Sequence, residues 1–158
     1  MNTTDTTTVR RSVVVEAPIE RAFTFFTRDI GAWWDADKHL LPEPIAAMDF
    51  EPRVGGHIID RGINGAECRW GTVLVYEPPT HVAFSWDITI GWKIETDSAK
   101  TSEVHVTFTA EDERRTLVEL EHRHLDRHGE GWETMRDAVG SDRGWDLEPY
   151  ARAIAVAS

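Results

Sequence analysis

Three runs between His81 and Leu125 alternate between two sets of side chains, one of them mostly apolar, and this constrains the fold more than any other feature. Val82, Phe84, Trp86 and Ile88 interleave with His81, Ala83, Ser85 and Asp87. Val104, Val106 and Phe108 interleave with Glu103, His105 and Thr107, and Val118, Leu120, His122 and His124 share one phase of the next segment. A period of two belongs to strands with one buried face, and short polar turns between such runs give an antiparallel meander. Earlier in the chain, His57–Arg61 and Cys68–Glu77 flank Gly62-Ile63-Asn64-Gly65, and Asn-Gly is a strong hairpin signal. Ile45–Glu51 and Val9–Glu16 read as two further strands.

The helices are few. Ile19, Ala22, Phe23 and Phe26 follow i, i+3, i+4, i+7 behind Pro18, which predicts a short helix over 18–27. A second short helix is expected to hold Ile30, Trp33 and Trp34. Near the end, Trp132, Met135 and Val139 keep helical spacing, 140–144 interrupts it, and Leu147, Tyr150, Ala151 and Ile154 resume it, with Ser141 or Asp142 as the expected N-cap. This order predicts an α+β protein: a curved antiparallel sheet of six to seven strands wrapped on a long C-terminal helix, with two short helices between the first two strands. Residues 1–8 hold five threonines and read as a disordered tail, and 9–156 as a single domain.

Composition narrows the function. The formal charge of −11 repels phosphate backbones, so no nucleic-acid partner is expected. A single cysteine excludes an intrachain disulfide framework. No window is long and apolar enough to span a membrane and no leader pattern opens the chain, so a cytoplasmic protein of bacterial type is expected, without membrane insertion. Seven Trp against two Tyr is the compositional oddity, and seven indoles suggest a thick core or a lined pocket.

Several motifs together resemble the SRPBCC superfamily, and within it the AHSA branch named after the activator of a heat-shock chaperone's ATPase. They begin with Val15-Glu16-Ala17-Pro18-Ile19-Glu20-Arg21-Ala22-Phe23, Trp33-Trp34 and Phe50-Glu51-Pro52-Arg53-Val54-Gly55-Gly56. Trp70-Gly71-Thr72-Val73, Glu77-Pro78-Pro79, Phe84-Ser85-Trp86, Val118-Glu119-Leu120-Glu121-His122, Gly129-Glu130-Gly131 and Gly144-Trp145 follow in order. The resemblance implies a helix-grip fold of the START and birch-pollen-allergen type over a hydrophobic cavity. It also implies an apolar small molecule as ligand. The namesake's chaperone role transfers poorly, because that activator uses a further N-terminal domain.

Candidate chemistry is sparse. Gly55-Gly56 reads as a tight turn, no phosphate loop or nucleophile elbow is present, and Cys68 reads as an inert thiol. His122 and His124 on one strand face could begin a metal site, but its remaining ligands would have to come from Asp126, His128, His105 or Glu103. No metal and no cofactor is expected. Asp29, Asp35 and Asp37 fall in the region expected to form a cavity mouth. The expected ligand-binding residues are Phe26, Trp33, Trp34, Trp70, Phe84, Trp86, Val106, Phe108, Leu120, His122, Trp132 and Met135. The reading is a binding module for a hydrophobic or aromatic small molecule. The alternatives are a cyclase- or hydrolase-like enzyme using His122 or His124, and a co-chaperone-like or homodimeric interaction protein.

Overall fold

The structure, a computed structural model, describes residues 6–35, 38–141 and 144–156. Seven strands form one antiparallel sheet: β1 (Val9–Val15), β2 (Ile45–Phe50), β3 (His57–Gly62), β4 (Glu67–Glu77), β5 (His81–Trp86), β6 (Ser102–Asp112) and β7 (Arg115–Arg123). Their spatial order is β1-β7-β6-β5-β4-β3-β2, so the first two strands in sequence occupy opposite edges. Two short helices, α1 (Ile19–Thr27) and α2 (Ile30–Trp33), carry the chain across. Two more close it, α3 (Trp132–Val139) and α4 (Glu148–Val156). This is the α+β helix-grip arrangement.

The alternation works as expected. Val104, Val106 and Phe108 pair across β6 and β7 with His122, Leu120 and Val118, and all six side chains are buried. Register irregularities at Ile58/Ile59 and Val73/Val75 insert extra residues in β3–β4 and β4–β5, and such bulges bend and twist a sheet. The tight turn before β3 needs its glycines. Gly55 has φ of +85°, and a Cβ on Gly56 would lie 2.7 Å from the Glu51 Cβ.

Helices α1 and α4 meet in the core. The Tyr150 hydroxyl donates to the Ala22 carbonyl at 2.7 Å, and its ring packs on Phe26 and Trp33 at centroid distances of 5.2 and 5.4 Å. Burial pushes that phenol well above its ordinary pKa, so it stays a donor.

One expectation changes in detail. The terminal helical segment is two helices rather than one long one, because the chain breaks at Gly140 and carries Trp145 in the connection, outside either helix. Residues 6–8 are tied down: the Thr7 carbonyl accepts from Leu125 N–H at 3.1 Å, and the Thr6 carbonyl accepts from Arg136 at 3.4 Å. Residues 1–5 of the expected tail, Asp37 and the alternative N-cap Asp142 lie outside the described residues. Among the described residues, no helix is long and apolar enough to cross a membrane.

Candidate functional site

A pocket of about 680 Å³ opens between the β3–β5 side of the sheet and the α3–α4 connection. That volume suits a drug-sized ligand. Six of the seven tryptophans line it: Trp33, Trp34, Trp70, Trp86, Trp92 and Trp145. Four of these form a closed ring. Trp34 meets Trp70 at 5.2 Å between centroids, Trp70 meets Trp86 at 5.5 Å, Trp86 meets Trp145 at 5.6 Å, and Trp145 returns to Trp34 at 5.7 Å. Offset and edge-on contacts of this kind each contribute about 0.5–1.5 kcal/mol beyond the area they bury.

The indoles come from different elements, and their N–H groups fix most of them. Trp33, ending α2, donates to the Phe25 carbonyl at 3.2 Å; Trp34 donates to the Lys38 carbonyl at 2.8 Å. Trp70 on β4 donates to Asp60 Oδ1 at 3.0 Å, and Trp145 donates to His122 Nδ1 at 3.0 Å. The connection bearing Trp145 is itself anchored. Arg11 Nε donates to the Trp145 carbonyl at 3.1 Å and Arg11 Nη2 to the Gly140 carbonyl at 2.7 Å. Lys38 Nζ reaches the Gly144 carbonyl at 2.8 Å, joining the loop after α2 to the same connection. Trp86 differs: its buried N–H has no partner among the described residues.

The polar part of the wall is small and unevenly satisfied. Asp60 is only 1% exposed and holds the bond from Trp70. Burial pushes its carboxyl above the usual aspartate range, opposed by the Trp70 bond and the nearby His39 ring. His39 lines the pocket too, and its buried Nδ1 has no partner among the described residues. Asp35, Lys38 and Asp146 complete the polar lining.

Of the twelve residues expected from sequence, Trp33, Trp34, Trp70 and Trp86 line this pocket and the other eight do not. Phe26, Phe84, Val106, Phe108, Leu120 and Met135 are buried in the core, consumed by packing between sheet and helices. Trp132 lies half-buried at the start of α3 beneath the Arg136 guanidinium, 5.2 Å from its ring centroid. His122 sits behind the wall rather than in it, with both ring nitrogens engaged. Its strand partner in the expected site, His124, adopts φ of +62° just beyond β7 and is exposed, so the two histidines do not share a face. His105 bonds instead to His81 at 3.0 Å and Glu103 at 2.9 Å. Among the described residues, no group of three or more His, Cys, Asp or Glu is placed to hold a metal ion. Cys68 is buried, and burial followed by the charge of Asp60 raises its thiol pKa, keeping it a thiol. Of the acidic residues expected at the mouth, Asp35 lines the pocket, whereas Asp29 is exposed elsewhere.

Sequence reasoning missed Asp60, Trp145, Trp92 and His39. For Asp60 a signal existed, since a period of two from Ile58 carries it inward with Gly62. Trp145 offered none, because nothing in its local pattern places the connection it sits on.

The profile of the Activator of Hsp90 ATPase homolog 1-like protein family matches residues 16–147. The chain belongs to that family. An anthrahydroquino-γ-pyrone synthase, Txn09, is 36% identical over 92% of this chain and 96% of its own, with a TM-score of 0.67. CalC, a self-sacrificing resistance protein from Micromonospora echinospora, is 24% identical over 96% of both chains, with a TM-score of 0.64. An HSP90 activator from Plasmodium falciparum is 16% identical over 84% of this chain and 86% of its own, with a TM-score of 0.53. The last two show the shared fold alone. No curated protein is matched. The family's AHSA-type SRPBCC fold is one that binds small hydrophobic ligands.

Proposed function

We propose that this protein binds a flat, largely apolar aromatic small molecule in the tryptophan-walled pocket. The observation that carries the reading is the cluster of Trp34, Trp70, Trp86 and Trp145, in mutual contact, in the wall of a pocket of about 680 Å³. Indole faces offer large, rigid contact area at little entropic cost, and a planar guest can lie against several at once. The unpartnered Trp86 N–H and His39 Nδ1 supply polar groups that a carbonyl or phenol on the guest would satisfy. The 36% identical relative is named for a fused aromatic product, which supports a polycyclic rather than an aliphatic guest.

Quenching of tryptophan emission by 1,8-dihydroxyanthraquinone, with native mass spectrometry for stoichiometry, tests this. Saturable quenching at one guest per chain is expected, with a Kd in the micromolar range, or about −8 kcal/mol. Linear, unsaturable quenching and no complex in the mass spectrum would refute it.

A further inference from the structure

Asp60 is an expensive residue to keep where it is. It sits mid-strand in β3, opposite Met48 on β2 and Cys68 on β4, within a wall of indoles. Among the described residues one hydrogen bond reaches its carboxyl, from the neutral Trp70 N–H. The ionisable groups around it are His39, the Cys68 thiol, and Asp35, Lys38 and Asp146 elsewhere in the pocket lining. No arginine or lysine pairs with Asp60 among the described contacts. A buried carboxylate without a cationic partner is disfavoured, and apolar or amide side chains would fill the same space with less penalty. Such groups cluster where a proton has to be moved, because desolvation raises the basicity of a carboxylate towards that of its substrate.

We propose that Asp60 is a proton-transfer residue of the tryptophan pocket, taking a proton from an enolisable carbon or phenolic oxygen of a planar aromatic guest and returning it to that molecule. This rests on the pocket reading above and adds a reaction class to it, cofactor-free tautomerisation. With an aromatic ketone as guest, the Asp60 carboxylate takes the C–H proton. The electron pair left behind moves into the ring system, and the carbonyl becomes an enolate oxygen. Asp60, now neutral, gives the proton to the enolate oxygen, which completes the tautomer, or back to carbon, which is read as exchange, and nothing is oxidised or reduced. The unpartnered Trp86 N–H and His39 ring stand in the same wall, where a donor to the enolate oxygen is needed.

Anthrone is a suitable probe, being a flat tricyclic ketone with an acidic C10–H. The whole protein is incubated with anthrone in deuterated buffer without oxygen, and deuterium at C10 is followed by NMR above the buffer rate. Binding is measured separately by tryptophan quenching. Wild type is expected to bind and to accelerate exchange. Asp60→Asn keeps an oxygen for the Trp70 bond, so it is expected to bind anthrone and lose roughly 100-fold or more of the protein-dependent exchange. Exchange by His124→Ala is expected to equal wild type. In wild type the protein-dependent rate should fall on acidification, once Asp60 is protonated, which keeps the test open if Asp60→Asn fails to fold. Binding without exchange, exchange that survives Asp60→Asn, or a rate that is flat with pH would overturn the role of Asp60 and leave the pocket reading standing. Absence of binding would overturn both.

Discussion

Two polar inclusions interrupt the apolar interior, and they are built on opposite principles. Behind the pocket wall, the Trp145 indole donates to His122 Nδ1 at 3.0 Å, and His122 Nε2 meets Ser102 Oγ at 2.7 Å. The same Ser102 hydroxyl meets His128 Nε2 at 2.7 Å. An indole nitrogen can only donate, so His122 Nδ1 must be the bare acceptor and Nε2 must carry the hydrogen. The donors then run in one direction, from Trp145 through His122 and Ser102 to His128. His122 is completely buried with every hydrogen-bonding atom used, and among the described residues only the outer end of the chain of bonds, His128 Nδ1, lacks a partner. In the pocket wall the pattern reverses. Asp60 has one neutral donor, and Trp86 and His39 each leave a buried nitrogen unpaired. Burial alone therefore does not distinguish structure from function. A completed network fixes a wall, whereas an incomplete one leaves capacity for a guest.

The largest effect should come from breaking the completed network. His122→Ala removes a buried ring, orphans the Trp145 N–H, and leaves the Ser102 oxygen without the hydrogen it accepts while its bond to His128 remains. A loss of about 3–5 kcal/mol in urea unfolding is expected. A loss under about 1 kcal/mol would mean that the network is not structural.

The second effect is acid sensitivity. Burial first, and the nearby His128 second, lower the His122 pKa from 6.5 to about 3. The unfolded chain therefore takes up a proton on His122 below 6.5 while the folded chain refuses it. The contribution is complete above 6.5 and is lost as pH falls towards 3, by at most about 1.4 kcal/mol per pH unit. Urea midpoints for wild type and His122→Gln between about pH 4 and 7 check this, the variant being expected to lose the slope that His122 supplies.

The smallest effect belongs to the incomplete site. The carboxyl of Asp60 is raised from 3.8 by burial, so its charged form is penalised in the folded state. That penalty is absent below 3.8 and complete only above the raised value. Asp60→Asn should therefore melt at or slightly above wild type near neutral pH, within about 4 °C, and the difference should vanish on acidification. A clear fall in melting temperature at neutral pH would place Asp60 with His122 as a structural residue.

How far the sequence foretold this differs between the two regions. The sheet was legible because one face of each strand is buried, and the phase of Val104, Val106, Phe108, Val118, Leu120 and His122 states which. His122 was legible as an inward side chain but not as a completed one, since its partners Trp145, Ser102 and His128 come from three separate segments. The pocket was half legible. Trp33, Trp34, Trp70 and Trp86 stood out by residue type, yet aromatic character could not separate them from Phe26, Phe84 and Phe108, which face the closed part of the same interior. Trp145 depends on the anchoring of its connection by Arg11 and Lys38, contacts that span 134 and 106 residues.

The pocket's role is tested most directly by the seven indole N–H resonances of the protein, assigned with single Trp→Phe variants and followed during addition of 1,8-dihydroxyanthraquinone. The expected result is that Trp34, Trp70, Trp86 and Trp145 shift together and saturate at one guest per chain, Trp86 most because its N–H gains a partner, while Trp132 stays in place. Shifts confined to Trp132, or none at all, would contradict a tryptophan-walled binding site.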